Sequence, residues 1–285
     1  MEYGTFFDKI GLPEGGRKTF AKLHTRADAP EFQKMVEAAF AAYDEGDEAF
    51  EVFTQENAAP WGVTTEELIL YLYLLKGRDS LVASLQKGLP EDVLVSALST
   101  LTHSCNLCYQ QMEVYGIPQK TYRRWSRCAL DGRIFPLGRL QFELLPSPYT
   151  VELEGHRLEE GQTCISVHIP AAGSLDEETC EAAYAQARVF FDKYFGMNPC
   201  FFMCNSWMMH PWLSEDLPAT SRVVQFQSKY TLVEARDNEQ AIRSWVFGRT
   251  TVPLEELPED NSLRRAAKAR LLKGMPIGTA KSFRL

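Results

Sequence analysis

The feature that most constrains the fold of this 285-residue chain is a change in the spacing of its apolar residues near Gly132. Before that point, apolar side chains recur every three or four residues, as in 31–46, which is typical of amphipathic helices. After it, residues 140–144 alternate apolar and polar, which predicts a strand. The sequence therefore predicts an α+β chain with a helical domain at 1–131 and a second domain at 132–285.

The second domain is predicted to contain a mixed sheet flanked by helices. Ser174 followed by Glu177 has the spacing of a capping box, so a long helix is expected from about Leu175 to Phe195. The other predicted elements alternate along the chain: strands at 149–153, 164–169, 200–204, 230–234 and 279–285, and helices at 221–227, 238–247 and 261–273.

The first domain contains its own start signals for helices. Thr64 and Glu67 form a second capping-box pattern, and Pro90 predicts the start of one helix that continues to about Tyr115. The longest apolar run is Leu68–Leu75, far shorter than the roughly 20 residues that a membrane helix needs. We interpret this run as a buried helical segment and expect no membrane partner.

Charge and cysteine usage narrow the class of protein. The formal net charge is −8, which argues against a generally basic surface for nucleic acid or membrane. The seven cysteines are an odd number, and the first residues lack the basic and apolar stretches of a signal peptide. Reduced thiols and a cytoplasmic location are therefore expected.

Several short strings carry a family resemblance. These are Leu137–Glu143, the segment His168–Leu175 with its Pro170 and Gly173, and Cys204–Leu213. Together with the order of elements, they resemble bacterial acyltransferase-like proteins that join a helical N-acyltransferase N-terminal domain to a GNAT-like C-terminal domain. The resemblance implies that acetyl-CoA or another acyl-CoA is the substrate. It also implies transfer of the acyl group to a small-molecule amine or a peptide.

The resemblance assigns a cofactor-binding segment and also shows where this chain departs from the family pattern. Acyl-CoA is expected to contact Val167, Ile169 and the loop Ala171, Ala172, Gly173 and Ser174. GNAT enzymes usually hold the CoA pyrophosphate on a glycine-rich turn with an Arg or Gln, whereas the segment 170–174 has one Gly and no Arg. The next residues, Asp176–Glu178, are acidic, and their charge is expected to oppose a pyrophosphate at the helix start.

Three side chains near the predicted strand ends are candidate catalytic residues. His168 has the chemistry to accept a proton from the attacking amine, although a structural histidine bonded to backbone is the alternative. Cys204 is either a nucleophile or a buried small hydrophobe. Ser206 either donates a hydrogen bond to the thioester carbonyl or caps the following turn. GNAT enzymes often protonate the leaving thiolate with a Tyr in the helix after the strand at 200–204. The matching segment 221–226 has no Tyr, and Tyr230 comes late in the sequence.

Two other interpretations remain open. His103, Cys105 and Cys108 are spaced like part of a zinc site, but the helical pattern around them favours a packed pair of thiols, so no metal is expected. The acidic helix start and the missing Tyr also fit a catalytically inactive GNAT-like scaffold that binds a small ligand or a peptide. The sequence predicts an acyl-CoA-dependent N-acyltransferase as the first hypothesis and this scaffold as the second.

Overall fold

The computed structural model describes residues 1–118, 120–171, 173–248 and 251–285. The chain divides into two compact units, Met1–Phe135 and Pro136–Leu285.

The first unit is helical, as its apolar spacing predicts. Its described helices are α1 Tyr3–Ile10, α2 Glu14–His24, α3 Pro30–Glu45, α4 Asp47–Asn57, α5 Thr65–Gln86, α6 Glu91–Leu98, α7 Thr100–Met112 and α8 Lys120–Leu130, with a short 3-10 turn at Ala59–Trp61.

The centre of this unit is α5. Its residues from Leu68 to Leu74 are all at most 2% exposed, so the helix is buried on every side over that length. The helix begins with the predicted capping box: Glu67 N donates to Thr64 Oγ1 at 3.2 Å, and Thr64 N donates to Glu67 Oε2 at 2.8 Å. These bonds occupy two of the backbone donors at the helix start, which have no partner within the helix.

The prediction of one helix from Pro90 to Tyr115 is wrong. The helix is interrupted at Ser99, between α6 and α7. The second helix, α7, ends at Met112, because Glu113 takes up a left-handed conformation with φ 58°. The Ser99 hydroxyl donates to the Ser96 carbonyl at 2.7 Å. Such local bonds from serine compete with the regular helix ladder, and apolar spacing does not reveal them.

The second unit contains the sheet. Its strands are β1 Ile134–Leu137, which crosses the boundary, β2 Leu140–Pro146, β3 Val151–Leu153, β4 His156–Leu158, β5 Thr163–His168, β6 Phe202–Ser206, β7 Thr231–Asp237 and β8 Gly278–Arg284. Its helices are α9 Glu177–Phe195, α10 Trp212–Asp216, α11 Arg222–Gln227, α12 Glu239–Ile242 and α13 Ser262–Leu272, with shorter turns at Trp207–Met209, Arg243–Phe247 and Leu254–Glu256.

The strands form a mixed sheet in the order β1-β2-β5-β6-β8-β7, and β3 and β4 form a separate hairpin. The pair β5–β6 is parallel, whereas β2–β5, β6–β8 and β8–β7 are antiparallel. A helical first part followed by a mixed sheet with helices confirms the predicted α+β class.

Aromatic residues join α9 to one face of this sheet. Tyr184 and Phe191 of α9 meet Phe142 of β2 edge-on, at ring-centroid distances of 5.8 and 6.2 Å. Tyr184 also meets Phe202 of β6 at 5.1 Å. These contacts anchor α9 over the middle strands, and they fix where the loop between β5 and α9 can lie.

Among the described helices, none combines the length and the apolar character that a membrane span requires.

Candidate active site

The candidate site is the place where the parallel strands β5 and β6 stop pairing with each other. They are paired at Ile165↔Phe202 and Ser166↔Met203. Farther along, Val167 and His168 pair with β2, whereas Cys204, Asn205 and Ser206 pair with β8. Beyond these two pairs, each strand is bonded only to its outer neighbour, so the carboxyl ends of β5 and β6 are no longer paired with each other. Open sheets commonly bind ligands at such a point.

His168 lies at the end of β5 and contacts an acidic side chain. Its Nε2 atom lies 2.9 Å from Oε2 of Glu143, on the neighbouring strand β2. The Glu143 side chain is 8% exposed and that of His168 is 28% exposed. When Nε2 carries the proton and donates to Glu143, the lone pair of a neutral imidazole is on Nδ1. The structure therefore gives His168 a fixed orientation through a side-chain partner.

The loop after β5 is held by an arginine from elsewhere in the fold. Arg139, in the turn between β1 and β2, donates from Nε to the Ser174 carbonyl at 2.7 Å. Its Nη2 donates to the carbonyls of Pro170 and Gly173, at 3.0 and 3.1 Å. Gly173 has φ +89°, and a Cβ atom there would lie 3.3 Å from Arg139 Nε. Glycine suits this position because it adopts positive φ without strain and leaves room for the guanidinium.

The start of α9 differs from the prediction in its cap. Asp176, and not Ser174, is the N-cap residue, and its side chain makes no capping hydrogen bond. The predicted capping box between Ser174 and Glu177 is therefore wrong. The Ser174 hydroxyl instead accepts a hydrogen bond from Arg222, the first residue of α11. This long-range partner replaces the local one that the sequence pattern suggests.

Two of the three acidic residues at this helix start, Asp176 and Glu177, have cationic partners. Asp176 Oδ1 lies 3.3 Å from Arg222 Nη2, and Glu177 Oε1 lies 2.6 Å from Lys229 Nζ. Both pairs are largely exposed, so their contribution to stability is small. They nevertheless offset the negative charge at the helix start, and this weakens the sequence-based argument against a pyrophosphate there.

The two candidates on β6 lie in different environments. Cys204 is fully buried, and burial raises the pKa of its thiol to about 12. A thiol with this pKa carries almost no thiolate near pH 7, so the structure favours a packing role. Ser206 is partly exposed, and its Oγ accepts a hydrogen bond from Met208 N at 3.1 Å, which caps the following turn. Its own hydroxyl proton is still available to an acceptor.

A tyrosine pair, of which Tyr184 is buried and Tyr230 partly exposed, lies next to β6. Tyr184 and Tyr230 are joined by a hydrogen bond between their hydroxyls. Arg284 of β8 lies 4.1 Å from the centre of the Tyr184 ring and binds both carboxylate oxygens of Glu181, at 2.8 and 3.0 Å. Burial raises the pKa of the Tyr230 hydroxyl well above its ordinary value. The late Tyr230 of the sequence is thus a packed residue bonded to α9.

The remaining predicted ligand contacts are spread along the strand end and the loop. Val167 is buried, Ile169 is partly exposed just after β5, and Ala171 and Gly173 are exposed. Ala172 lies outside the described residues. Sequence reasoning missed Glu143 and Arg139, because each acts across a strand pairing or a turn. The alternation in 140–144 places Glu143 on one face of the sheet, but it does not reveal the neighbouring strand.

The thiols of the first unit are packed. Cys105 and Cys108 are both buried in α7, and burial raises the pKa of Cys105 to about 12 and that of Cys108 to about 11. Within the described ranges, no group of three or more His, Cys, Asp or Glu side chains has the arrangement to hold a metal ion.

Comparison with known families gives two matches that together cover most of the chain. Residues 134–283 match the family model of the GNAT-like C-terminal domain. Residues 1–132 match that of the N-acyltransferase N-terminal domain. No curated protein was found to match the chain.

Solved structures with a similar fold are acyltransferases. One, in complex with decanoyl-CoA and teicoplanin, is 21% identical, with a TM-score of 0.68 over 99% of this chain and 87% of that one. A mutant acyltransferase with octanoyl-CoA is 21% identical, with a TM-score of 0.67 over 98% and 86%. A third, with CoA and 10C-teicoplanin, is 20% identical, with a TM-score of 0.64 over 100% and 99%. At this level of identity, the likeness establishes a shared fold.

Proposed function

Since this chain belongs to the family whose members carry a GNAT-like C-terminal domain, here preceded by an N-acyltransferase N-terminal domain, we propose that it transfers an acyl group from acyl-CoA to an amine. The observation that carries the proposal is the end of pairing between β5 and β6, with the His168–Glu143 pair at the end of β5. We infer that an extended ligand binds between the unpaired ends of the two strands, where the His168–Glu143 pair supplies a group that can move a proton.

The unpaired ends of β5 and β6 support binding of an extended thioester. Beyond Ser166 and Met203, the facing edges of β5 and β6 keep peptide groups that are not bonded to each other. The pantetheine arm of CoA carries amides, which can bond such groups. We assign the acyl thioester to the side of β5 and the pyrophosphate to the loop around Gly173. Backbone N–H groups near the start of a helix favour an anion there.

The proposed reaction moves the acyl group from the sulfur of CoA to the nitrogen of the acceptor amine. The amine nitrogen bonds to the thioester carbonyl carbon, the carbon–sulfur bond breaks, and an amide and CoA are formed. His168 accepts the proton that the nitrogen loses, directly or through a water molecule, and that proton is then available to the departing thiolate. Glu143 stabilises the imidazolium that forms between these steps. The Ser206 hydroxyl donates to the oxyanion, and Cys204 takes no part in the transfer.

The class of acceptor is proposed from the molecules that similar structures hold beside CoA. Two of the similar structures hold teicoplanin or 10C-teicoplanin together with decanoyl-CoA or CoA. We therefore propose an amine on a small molecule or on a peptide as the acceptor of this protein. The acidic net charge of −8 is compatible with attraction of a protonated amine to the surface.

A release assay tests the function. Purified protein is mixed with decanoyl-CoA and, in turn, an amino sugar, a lysine-containing peptide and teicoplanin, and the free thiol of CoA is measured over time. We expect thiol release that depends on one acceptor, with a product heavier by one decanoyl group in mass spectrometry. Boiled protein and acceptor-free mixtures are the controls.

Calorimetry separates the enzyme from an inactive scaffold. If the protein binds CoA but releases no thiol with any of the acceptors, the scaffold hypothesis replaces the enzyme for these substrates. If decanoyl-CoA and CoA at millimolar concentration neither bind nor raise the melting temperature, the acyl-CoA assignment is wrong. Saturating ligand at about 100 times its Kd stabilises the folded state by about 2.7 kcal/mol, which is readily measured.

A further inference from the structure

The loop 170–174 lacks an arginine of its own, yet a guanidinium lies within it. Arg139 reaches it from the turn after β1, where Gly138 adopts φ +59°. It makes one hydrogen bond to each of three carbonyls, those of Pro170, Gly173 and Ser174. The residue is separated from these partners by 31 to 35 positions in the sequence.

These three bonds determine where the opposite sides of the peptide groups point. In a planar trans peptide, the N–H group lies on the side opposite the carbonyl. Because Arg139 holds the carbonyls of Pro170, Gly173 and Ser174, the N–H groups of Ala171, Ser174 and Leu175 point away from it. Among the described residues, none of these three N–H groups donates to a protein acceptor.

We propose that Arg139 is a positioning residue for the pyrophosphate of acyl-CoA, and that it supplies from a different strand pair the arginine that the loop lacks. This inference rests on the proposed function. Arg139 fixes the loop so that its N–H groups are already oriented for an anion before the ligand arrives. Binding then does not have to order the loop, and such preorganisation increases affinity.

The shape of the side chain, and not only its charge, is required for this role. A guanidinium is planar and presents several donors in fixed directions, so that one side chain holds three carbonyls together. A lysine ammonium keeps the positive charge, but its flexible stem does not fix several acceptors in the same way. The variant Arg139→Lys therefore separates loop orientation from electrostatic attraction, and Arg139→Gln removes both.

The test compares two ligands, only one of which carries the pyrophosphate together with the phosphoadenosine attached to it. Decanoyl-CoA and decanoyl-pantetheine share the thioester and the pantetheine arm, but only the first carries the pyrophosphate. We expect Arg139→Lys to raise the Kd of decanoyl-CoA about tenfold in calorimetry, through loss of preorganisation, and to leave that of decanoyl-pantetheine unchanged. Arg157→Lys is the matched control, because Arg157 is an exposed arginine of β4 that binds Glu159.

The outcomes are distinguishable. A rise in the Kd of decanoyl-CoA alone supports the inference. An equal rise in the Kd of both ligands means that Arg139 only stabilises the fold. An unchanged Kd of decanoyl-CoA in Arg139→Lys means that the positive charge alone suffices. Either of the last two results overturns it. If the wild-type protein binds no decanoyl-CoA, the proposed function fails and the inference fails with it. If the wild type binds and Arg139→Lys binds equally well, only the inference fails.

Discussion

The hydrogen bond between His168 and Glu143 leads to a prediction about turnover. In His168→Gln, a side chain with hydrogen-bonding capacity remains, but it cannot accept a proton from the amine. We expect kcat to fall about 10²- to 10⁴-fold, the usual range for loss of a general base. The measurement is initial-rate kinetics of thiol release at saturating decanoyl-CoA.

His156→Gln is the control for this prediction, because His156 is an exposed histidine of β4. Its rate is expected to equal that of the wild type. Unchanged turnover in His168→Gln, with the same melting temperature, would return His168 to a structural role and leave the proton acceptor to be found elsewhere in the site.

The burial of Cys204 predicts how the protein responds to thiol reagents. Iodoacetamide reacts with thiolates, and the pKa of about 12 keeps Cys204 protonated near neutral pH. We expect negligible alkylation of Cys204 and no loss of transfer activity at pH 7.5, with the alkylation rate rising as the pH increases. Peptide mass spectrometry after timed alkylation measures both.

Alkylation in urea is the reference, since the unfolded chain exposes the same thiol. Rapid inactivation of the folded protein at pH 7.5, prevented by added CoA and traced to Cys204, would reinstate this residue as a nucleophile.

The capping box of α5 predicts a measurable loss of stability. Thr64→Ala removes the hydroxyl that accepts from Glu67 N at the start of the helix that forms the centre of the first unit. Replacement of such a cap costs about 1 kcal/mol. We expect urea unfolding to show a free-energy loss of that size, with an unchanged dependence on urea concentration.

Thr5→Ala is the matched control, since Thr5 is exposed on α1 and alanine is favourable in a helix. It is expected to change the stability by less than about 0.5 kcal/mol, as surface substitutions usually do. Equal effects of the two substitutions would mean that the box contributes nothing beyond helix propensity.

The two capping-box patterns show how far local sequence can predict an element. At Thr64, both partners are three residues apart, so the sequence contains the whole motif, and the structure confirms it. At Ser174, the hydroxyl is bound by Arg222, which is 48 positions away. The pattern there is the same, but the outcome is decided by a contact that becomes visible only in the folded chain.

The buried thiols predict a loss of stability at alkaline pH. Burial raises the pKa values of Cys105, Cys164 and Cys204 to about 12, from an ordinary value of 9.0. Because the folded state holds these protons more tightly than the unfolded chain, their contribution to stability is complete below about pH 9. It falls as the pH rises from 9 towards 12. We expect urea unfolding at pH 8, 9.5 and 10.5 to show decreasing free energies.

Cys204→Ala provides a check within the same experiment. Its stability at pH 8 is lower, but its decline above pH 9 should be shallower than that of the wild type, because one titrating thiol is gone. Identical slopes for the two proteins would show that other groups dominate the alkaline transition.

For the molecule as a whole, the sequence predicts where helices and strands occur better than it predicts which strands lie next to each other. The change of spacing near Gly132 indicates a helical part followed by a part that contains strands. The strands predicted at 164–169 and 279–285 agree with β5 and β8. Alternation does not reveal that β8 lies between β6 and β7, or that β5 and β6 are parallel and stop pairing. The partners of a strand come from distant parts of the chain, which is why Glu143 and Arg139 became visible only in the structure.

The all-round burial of α5 has a consequence for how this chain tolerates variation. An ordinary surface helix requires apolar residues only at every third or fourth position and accepts polar residues at the others, so a saturation scan of it shows a periodic pattern. The stretch Leu68–Leu74 has no exposed side, since none of its seven residues is more than 2% exposed. A scan of this segment for retained folding should therefore show an unbroken block of intolerance to polar residues, in which helical periodicity is no longer visible.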